Sequence, residues 1–285
     1  MRLFVFGPGY VGLALARRLG AQGWSLAASA RGAAGAADLG RLGIDPVDPA
    51  DAGAIAKALA ESDAVLVTAP PDEHGCPGLA AMTPGLEAGE RPGWIGYLSS
   101  TGVYGDRGGG WVFEDSELRA QSVVGARRVA AERAWLELGA RLGLSVAVLR
   151  LPGIYGPGRS AFERLRDGSA RRMARPGQVF SRIHLDDLTA ALNASIARPR
   201  AGAIYNLCDD EPGPPQDVIA FAADLLGMEP PPEVAFDPAA APAASLRFFT
   251  ESKRVSNARA KAELGWRPAY PSYREGLRAI LAAEE

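Results

Sequence analysis

Three glycines, Gly7, Gly9 and Gly12, stand in "FVFGPGYVGLALARRLG", directly after an apolar run and at the start of a helical one. The chemistry open to G-x-G-x-x-G in that setting is the holding of a pyrophosphate. Gly7 permits the tight turn, Gly9 lets backbone approach the phosphates, and Gly12 lets the helix pack closely on a sheet. Amide N–H groups at the helix start then meet the anion. Which dinucleotide fits is decided at the tip of the second strand. An acid about 20 residues past the glycines would accept from a ribose 2′-hydroxyl. "AASARG" offers no acid before Asp38, and Arg31 stands 19 residues after Gly12. A guanidinium suits a 2′-phosphate through charge-assisted, often bidentate hydrogen bonds. NADP is therefore expected, with NAD left open. Asp48, after the third strand, is expected to cap the helix beginning near residue 51 or to reach the adenine amine.

Other reactive side chains are few. The chain has two histidines, His74 and His184, and histidine alone is tuned near neutral pH without help. His184, in "RIHLDD", reads as a ligand contact or as a hydrogen-bonded structural residue. The two cysteines, Cys76 and Cys208, have no metal-ligand spacing, so two inert thiols and no metal are expected. "RLRDGSARRMAR" holds Arg164, Arg166, Arg171, Arg172 and Arg175, a set that suits an anionic substrate or, equally, a solvated charged face.

These residues need a frame, and the pattern of elements supplies one. The apolar runs 2–6, 24–30, 64–68, 94–100 and 144–151 read as buried parallel strands, with helical stretches near 10–20, 51–60, 76–88 and 121–142. Such alternation predicts an α/β fold, a Rossmann-type doubly wound parallel sheet with helices on both faces. A small C-terminal α/β substrate domain is expected to follow. The dinucleotide-binding part is placed over 1–156 and about 180–207, and the substrate part over about 157–179 and 208–285. Residues 229–245, rich in proline, read as a surface loop. With 285 residues, 47% hydrophobic and 22% charged, the chain can hold one large domain or two joined ones. Its 28 arginines against 3 lysines are balanced by acids to a net charge of −2, so no nucleic-acid partner is expected. No apolar stretch approaches the ~20 residues of a membrane span, and no signal peptide is evident. A soluble cytoplasmic protein with no membrane partner is expected.

"YLSSTGVYGDRG" (97–108), "RLPGIYGPGR" (150–159), "FSRIHLDDL" (180–188), "YNLCDDEP" (205–212) and the stretch 254–277 resemble a known family in the right order. It is the extended short-chain dehydrogenase/reductases, the NAD-dependent epimerase/dehydratase type. The resemblance implies nicotinamide held over the ends of the fourth, fifth and sixth strands. It gives Ser100 the family's active-site hydroxyl, which hydrogen-bonds the substrate oxygen being oxidised or reduced; a strand-end backbone cap is the alternative role. Thr101 and Gly102 replace acids carried by the family's sugar-nucleotide dehydratases, which argues against that chemistry.

The family's next element is Tyr-x-x-x-Lys followed four residues later by Glu. Aligned on Glu132, the tyrosine position holds Val124 and the lysine position Arg128; residues 105–154 contain neither Tyr nor Lys. The chain thus looks like an atypical branch lacking that pair. Val124, Arg128, Ala131, Trp135, Leu138 and Leu142 fall on one helical stripe expected to face the sheet. Arg128 is expected to hold the cofactor ribose or to pair with Glu132 or a nearby acid. Tyr104 and Tyr155 are expected as cleft-wall residues or as acids, and His74 as a neighbour of the nicotinamide. The cofactor set expected is Gly7, Gly9, Tyr10, Val11, Gly12, Arg31, Asp48, Ala69, Pro70, Ser99, Arg128 and Pro152. The catalytic candidates are Ser100, Tyr104 and His184.

Two functions fit these residues. One is an NADP-dependent oxidoreductase or epimerase-like enzyme acting on a small polar or nucleotide-sugar-like substrate, anionic or phosphorylated if the arginines serve it. The other binds NADP(H) without turnover, as a redox sensor or regulatory protein. The resemblance also allows pairing as a homodimer.

Overall fold

The structure, a computed structural model, describes residues 1–239 and 249–284. Its elements in chain order begin with β1 (Arg2–Phe6), α1 (Tyr10–Gly20), β2 (Ser25–Ser29), α2 (Gly32–Arg41), β3 (Asp45–Val47), α3 (Ala52–Ala60), β4 (Ala64–Val67), α4 (Pro77–Ala88) and β5 (Trp94–Ser100). A 3₁₀ turn over Thr101–Tyr104 leads to β6 (Trp111–Val112), α5 (Val123–Leu142), β7 (Val146–Leu151), β8 (Gly153–Tyr155), α6 (Ala161–Arg166) and β9 (Arg172–Ala174). Then come β10 (Arg182–His184), α7 (Leu185–Ala197), β11 (Ala203–Asn206), α8 (Pro215–Leu225), β12 (Glu233–Ala235), β13 (Arg254–Val255) and helices Ala258–Leu264 and Tyr273–Ala282.

Two compact units emerge. The first comprises 1–103, 122–150 and 189–205, the second 104–121, 151–188 and 206–285. This division moves 104–121, 151–156, 180–188 and 206–207 out of the expected cofactor part. Strand pairing explains the shift: β6 pairs with β13, and β8 with β10, all within the second unit.

A seven-stranded sheet runs β11-β7-β5-β4-β1-β2-β3. β1 pairs with β2 and β4, β2 with β3, and β4 with β5, all parallel. Runs such as "AVLV" in β4 and "VAVLRL" in β7 are buried along their whole length, as strands covered on both faces must be. Phe4, Phe6, Val65, Val67, Ile95, Tyr97 and Trp135 share one core there. Between β1 and β4 the winding reverses, and open α/β sheets bind ligands at the carboxyl ends of strands flanking such a point. Gly7 follows the end of β1, and Ala69 follows that of β4.

The second unit has its own core, with Phe162, Leu165, Ile219, Ala222, Tyr273, Leu277 and Ile280 at its centre. Two of its helices open on capping boxes, Ser160 with Glu163 and Ser272 with Glu275, which satisfy backbone donors at both starts. β12 pairs with β9 in parallel. Residues 233–235 of the expected surface loop are therefore a strand, and 240–245 lie outside the described residues.

Candidate functional site

In the first unit the three glycines divide the labour as their spacing predicts. Gly7 adopts φ +83°, where side chains are strained; its N–H donates to Ser29 Oγ at 2.8 Å. A Cβ on Gly7 would lie 2.8 Å from Ala69 Cβ, and one on Gly12 would lie 2.8 Å from Val5 Cγ1. A Cβ on Gly9 would meet nothing within 4 Å. The backbone at Gly9 is thus open to a ligand, and the other two glycines are fixed by packing. Thr68 at the end of β4 donates its hydroxyl to the Gly7 carbonyl, a support that the sequence did not single out. α1 starts at Tyr10 and Val11 with no side-chain cap and no acid in its first turn. A helix start without a capping side chain is the arrangement that receives anions. A pyrophosphate fits this cradle.

Arg31 is exposed beyond the tip of β2, directly before α2, and has no ion pair among the described residues. Asp48 does not cap the helix as expected. Asp51 does, accepting from Gly53 N at 2.8 Å and Ala54 N at 3.0 Å, while Asp48 accepts from Ala50 N at 2.9 Å. The helix starts one residue after Asp51, so Asp48 is too far upstream to reach its first amides. Ala69 is half-buried, Pro70 exposed, and Pro152 half-buried between β7 and β8. The His74 side chain is 86% exposed beside Glu73.

The edge of β5 carries the densest polar network. Ser100 Oγ accepts from Gly102 N at 3.1 Å, which is the strand-end cap and leaves the hydroxyl proton to donate elsewhere. Ser99, buried, donates to Glu132. Glu132 does not pair with Arg128. Arg150 takes it instead, with Nε 3.2 Å from both carboxylate oxygens and Nη2 2.8 Å from one. Arg128 donates to the Leu98 carbonyl and, at 3.3 Å, to the Tyr97 hydroxyl, with its guanidinium 5.8 Å from the Tyr97 ring centroid. Burial pushes the Tyr97 phenol up to about 12, against the pull of Arg128. Val124 is 48% exposed and is not on the buried stripe. The buried face of α5 is Gly125, Ala131, Glu132, Trp135, Leu138 and Gly139. Of the expected stripe, Ala131, Trp135 and Leu138 are buried, and Val124 is not.

The second unit holds the remaining candidates. Tyr104 is wholly buried and donates to Asn206 Oδ1 at 2.7 Å. Tyr155 donates to the Ser272 carbonyl at 3.3 Å, and burial raises its phenol well above the usual value. His184, 2% exposed, lies edge-on between Tyr155 and Tyr270, with ring centroids 5.3 and 4.4 Å away. Its Nδ1 accepts from Asp186 N at 3.2 Å, and burial lowers its pKa, so it is neutral at pH 7 with the proton on Nε2. None of the three is poised as an acid.

A cavity of about 530 Å³ opens in this unit, walled by Tyr155, Met173, Phe180, Phe249 and Tyr273 and by four arginines, Arg159, Arg164, Arg171 and Arg182. Of the five arginines in 164–175, Arg164 and Arg171 reach it. Arg166 pairs with Glu284, Arg172 with Glu233 at 3.1 Å, and Arg175 donates to the Phe249 carbonyl. Arg159 and Arg182 were not singled out from the sequence. Their signal was position: one follows the "GPG" turn, and the other begins a strand that pairs with β8.

Strand order, switch point and glycine turn together define a Rossmann-type α/β protein. No protein-family model matches the chain. Among curated proteins, YeeZ of Escherichia coli is 31% identical over 248 residues, covering 81% of this chain and 85% of that protein. A Streptomyces protein, 3-diazoavenalumate denitrifying reductase, is 32% identical over 148 residues; the match spans 47% of this chain and only 46% of the reductase. A solved structure of a functionally unknown conserved protein from Silicibacter pomeroyi is 43% identical over 99% of this chain and 98% of that one, with TM-score 0.90. Two further structures are each 22% identical over 99% of this chain and carry the fold alone. The dTDP-glucose 4,6-dehydratase DesIV of Streptomyces venezuelae, with NAD and TYD bound, is covered to 96% with TM-score 0.79. RMD of Pseudomonas aeruginosa, complexed with NADPH, is covered to 99% with TM-score 0.72. The chain belongs to the same family as YeeZ and the Silicibacter protein, and its fold is that of the solved NAD-dependent epimerase/dehydratase-type structures. Among the described residues no helix is long and apolar enough to cross a membrane.

Proposed function

We propose that this chain is an NADP-dependent oxidoreductase acting on a small, polar, anionic substrate. The observation that carries the reading is the open backbone at Gly9, set between a strained turn and an uncapped helix start. Arg31, exposed and without an ion pair among the described residues, supports the choice of NADP. RMD and DesIV, complexed with NADPH and with NAD respectively, support a nicotinamide nucleotide in general.

When bound, a reduced nicotinamide supplies hydride to the substrate carbon. Ser100, its oxygen engaged by Gly102 N–H, donates its proton to the substrate oxygen and so stabilises the negative charge that develops there. The Tyr104 and Tyr155 hydroxyls donate to Asn206 and to the Ser272 carbonyl, and in this reading the proton arrives from solvent through Ser100. Arg128 cannot release a proton. The arginines that wall the cavity of the second unit support an anionic ligand there. The test is NADPH consumption over a panel of anionic carbonyl compounds. Turnover of at least one is expected, with Ser100→Ala slowing it at least tenfold (~1.4 kcal/mol) while NADPH affinity stays within twofold. A wild-type rate in Ser100→Ala rules its role out.

The engagement of Arg128 by the β5 backbone favours a second reading, an NADP(H) sensor without turnover. Any robust turnover defeats it.

A further inference from the structure

We propose that Ser99, Glu132 and Arg150 form a positioning network that sets the geometry of the β5 edge and thereby the affinity for the nicotinamide nucleotide. The inference rests on the proposed function, in which Ser100 at the end of β5 acts on the substrate beside the nicotinamide.

All three residues are buried, at 4%, 2% and 2% exposure. Arg150 meets Glu132 side-on through Nε and Nη2, and Glu132 accepts the Ser99 hydroxyl with the same oxygen that Nε approaches at 3.2 Å. Burying two charges is expensive, and apolar residues of similar volume often stabilise a fold as well or better. The surroundings would accept such residues, since Ala131, Trp135 and Val148 are all in the core. Stability alone therefore gives the pair no reason to be ionic. Geometry gives one. Arg128 and Glu132, four residues apart on α5, grip Tyr97, Leu98 and Ser99, the three residues that precede Ser100. Arg150, on the neighbouring strand β7, completes the clamp by fixing where Glu132 can point. A site held to a fraction of an ångström needs side chains locked by such supporting bonds. None of the three is a catalytic residue; each acts through the strand edge.

The test separates positioning from folding. NADPH affinity is measured by fluorescence titration, and thermal midpoints are measured without nucleotide. Glu132→Gln is expected to lower both. The double variant Glu132→Leu with Arg150→Met removes both charges; its midpoint should return to the wild-type value or above, with NADPH affinity still at least tenfold weaker than wild type. Ser99→Ala should weaken NADPH at least threefold with a near wild-type midpoint, and it decides the matter should the double variant not fold. Wild-type affinity in the folded double variant, or in Ser99→Ala if the double variant fails to fold, overturns the proposal alone. A wild-type chain that binds no nicotinamide nucleotide overturns the functional reading and this proposal with it.

Discussion

Arg31 stands in solvent at the tip of β2, in a position where a guanidinium is open to a ligand phosphate. Arg31→Ala is expected to weaken NADPH about tenfold or more (~1.4 kcal/mol) and to leave NADH unchanged, as read by parallel titrations. Equal effects on both nucleotides would remove the NADP preference. Asp209 presents a different case. It is 2% exposed, and burial raises its pKa well above the usual range against the pull of Arg182. Its folded pKa therefore lies above the unfolded value of about 3.9. Between the two the folded chain keeps a proton that the unfolded chain has released, so this residue makes stability fall as pH rises. Asp209→Asn should raise the thermal midpoint at pH 7, and the gain should shrink toward zero as pH is lowered to about 4. A difference that does not change with pH would contradict the assignment.

At the scale of elements, long periodic segments were legible and paired or small-residue ones were not. The helix expected over 10–20 is Tyr10–Gly20, and the one expected over 121–142 is Val123–Leu142. α2, "GAAGAADLGR", was missed, because it buries only Leu39 and so leaves almost no apolar period to read. β12 was hidden in a proline-rich stretch, since a three-residue strand with every residue exposed has no pattern of its own. The glycine turn could be read because its geometry is local. The partner of Glu132 could not: Arg150 lies 18 residues away on another element, and only the packing of α5 across β5 and β7 brings them together. Ser99 was expected to face the cofactor, and Arg128 to hold its ribose or to pair with Glu132 or a nearby acid; their side chains bind Glu132 and the β5 backbone. His184 and Tyr104 were legible as candidates by type, but their burial belongs to the tertiary structure.

Taken as a molecule, the chain is two units, each with its own hydrophobic core: one built on a seven-stranded sheet with a phosphate cradle, the other holding an arginine- and aromatic-walled cavity. The central claim is that the cradle holds a dinucleotide, and Gly9 isolates it. Its backbone is extended, at φ −109° and ψ −160°, and a Cβ would meet no protein atom within 4 Å. Gly9→Val should therefore fold and melt like the wild type, yet fill the space meant for pyrophosphate. The direct measurement is calorimetric titration of NADPH into both proteins. The account predicts single-site binding by the wild type and at least tenfold weaker binding by Gly9→Val (~1.4 kcal/mol). No binding by the wild type, or equal binding by both, would contradict it.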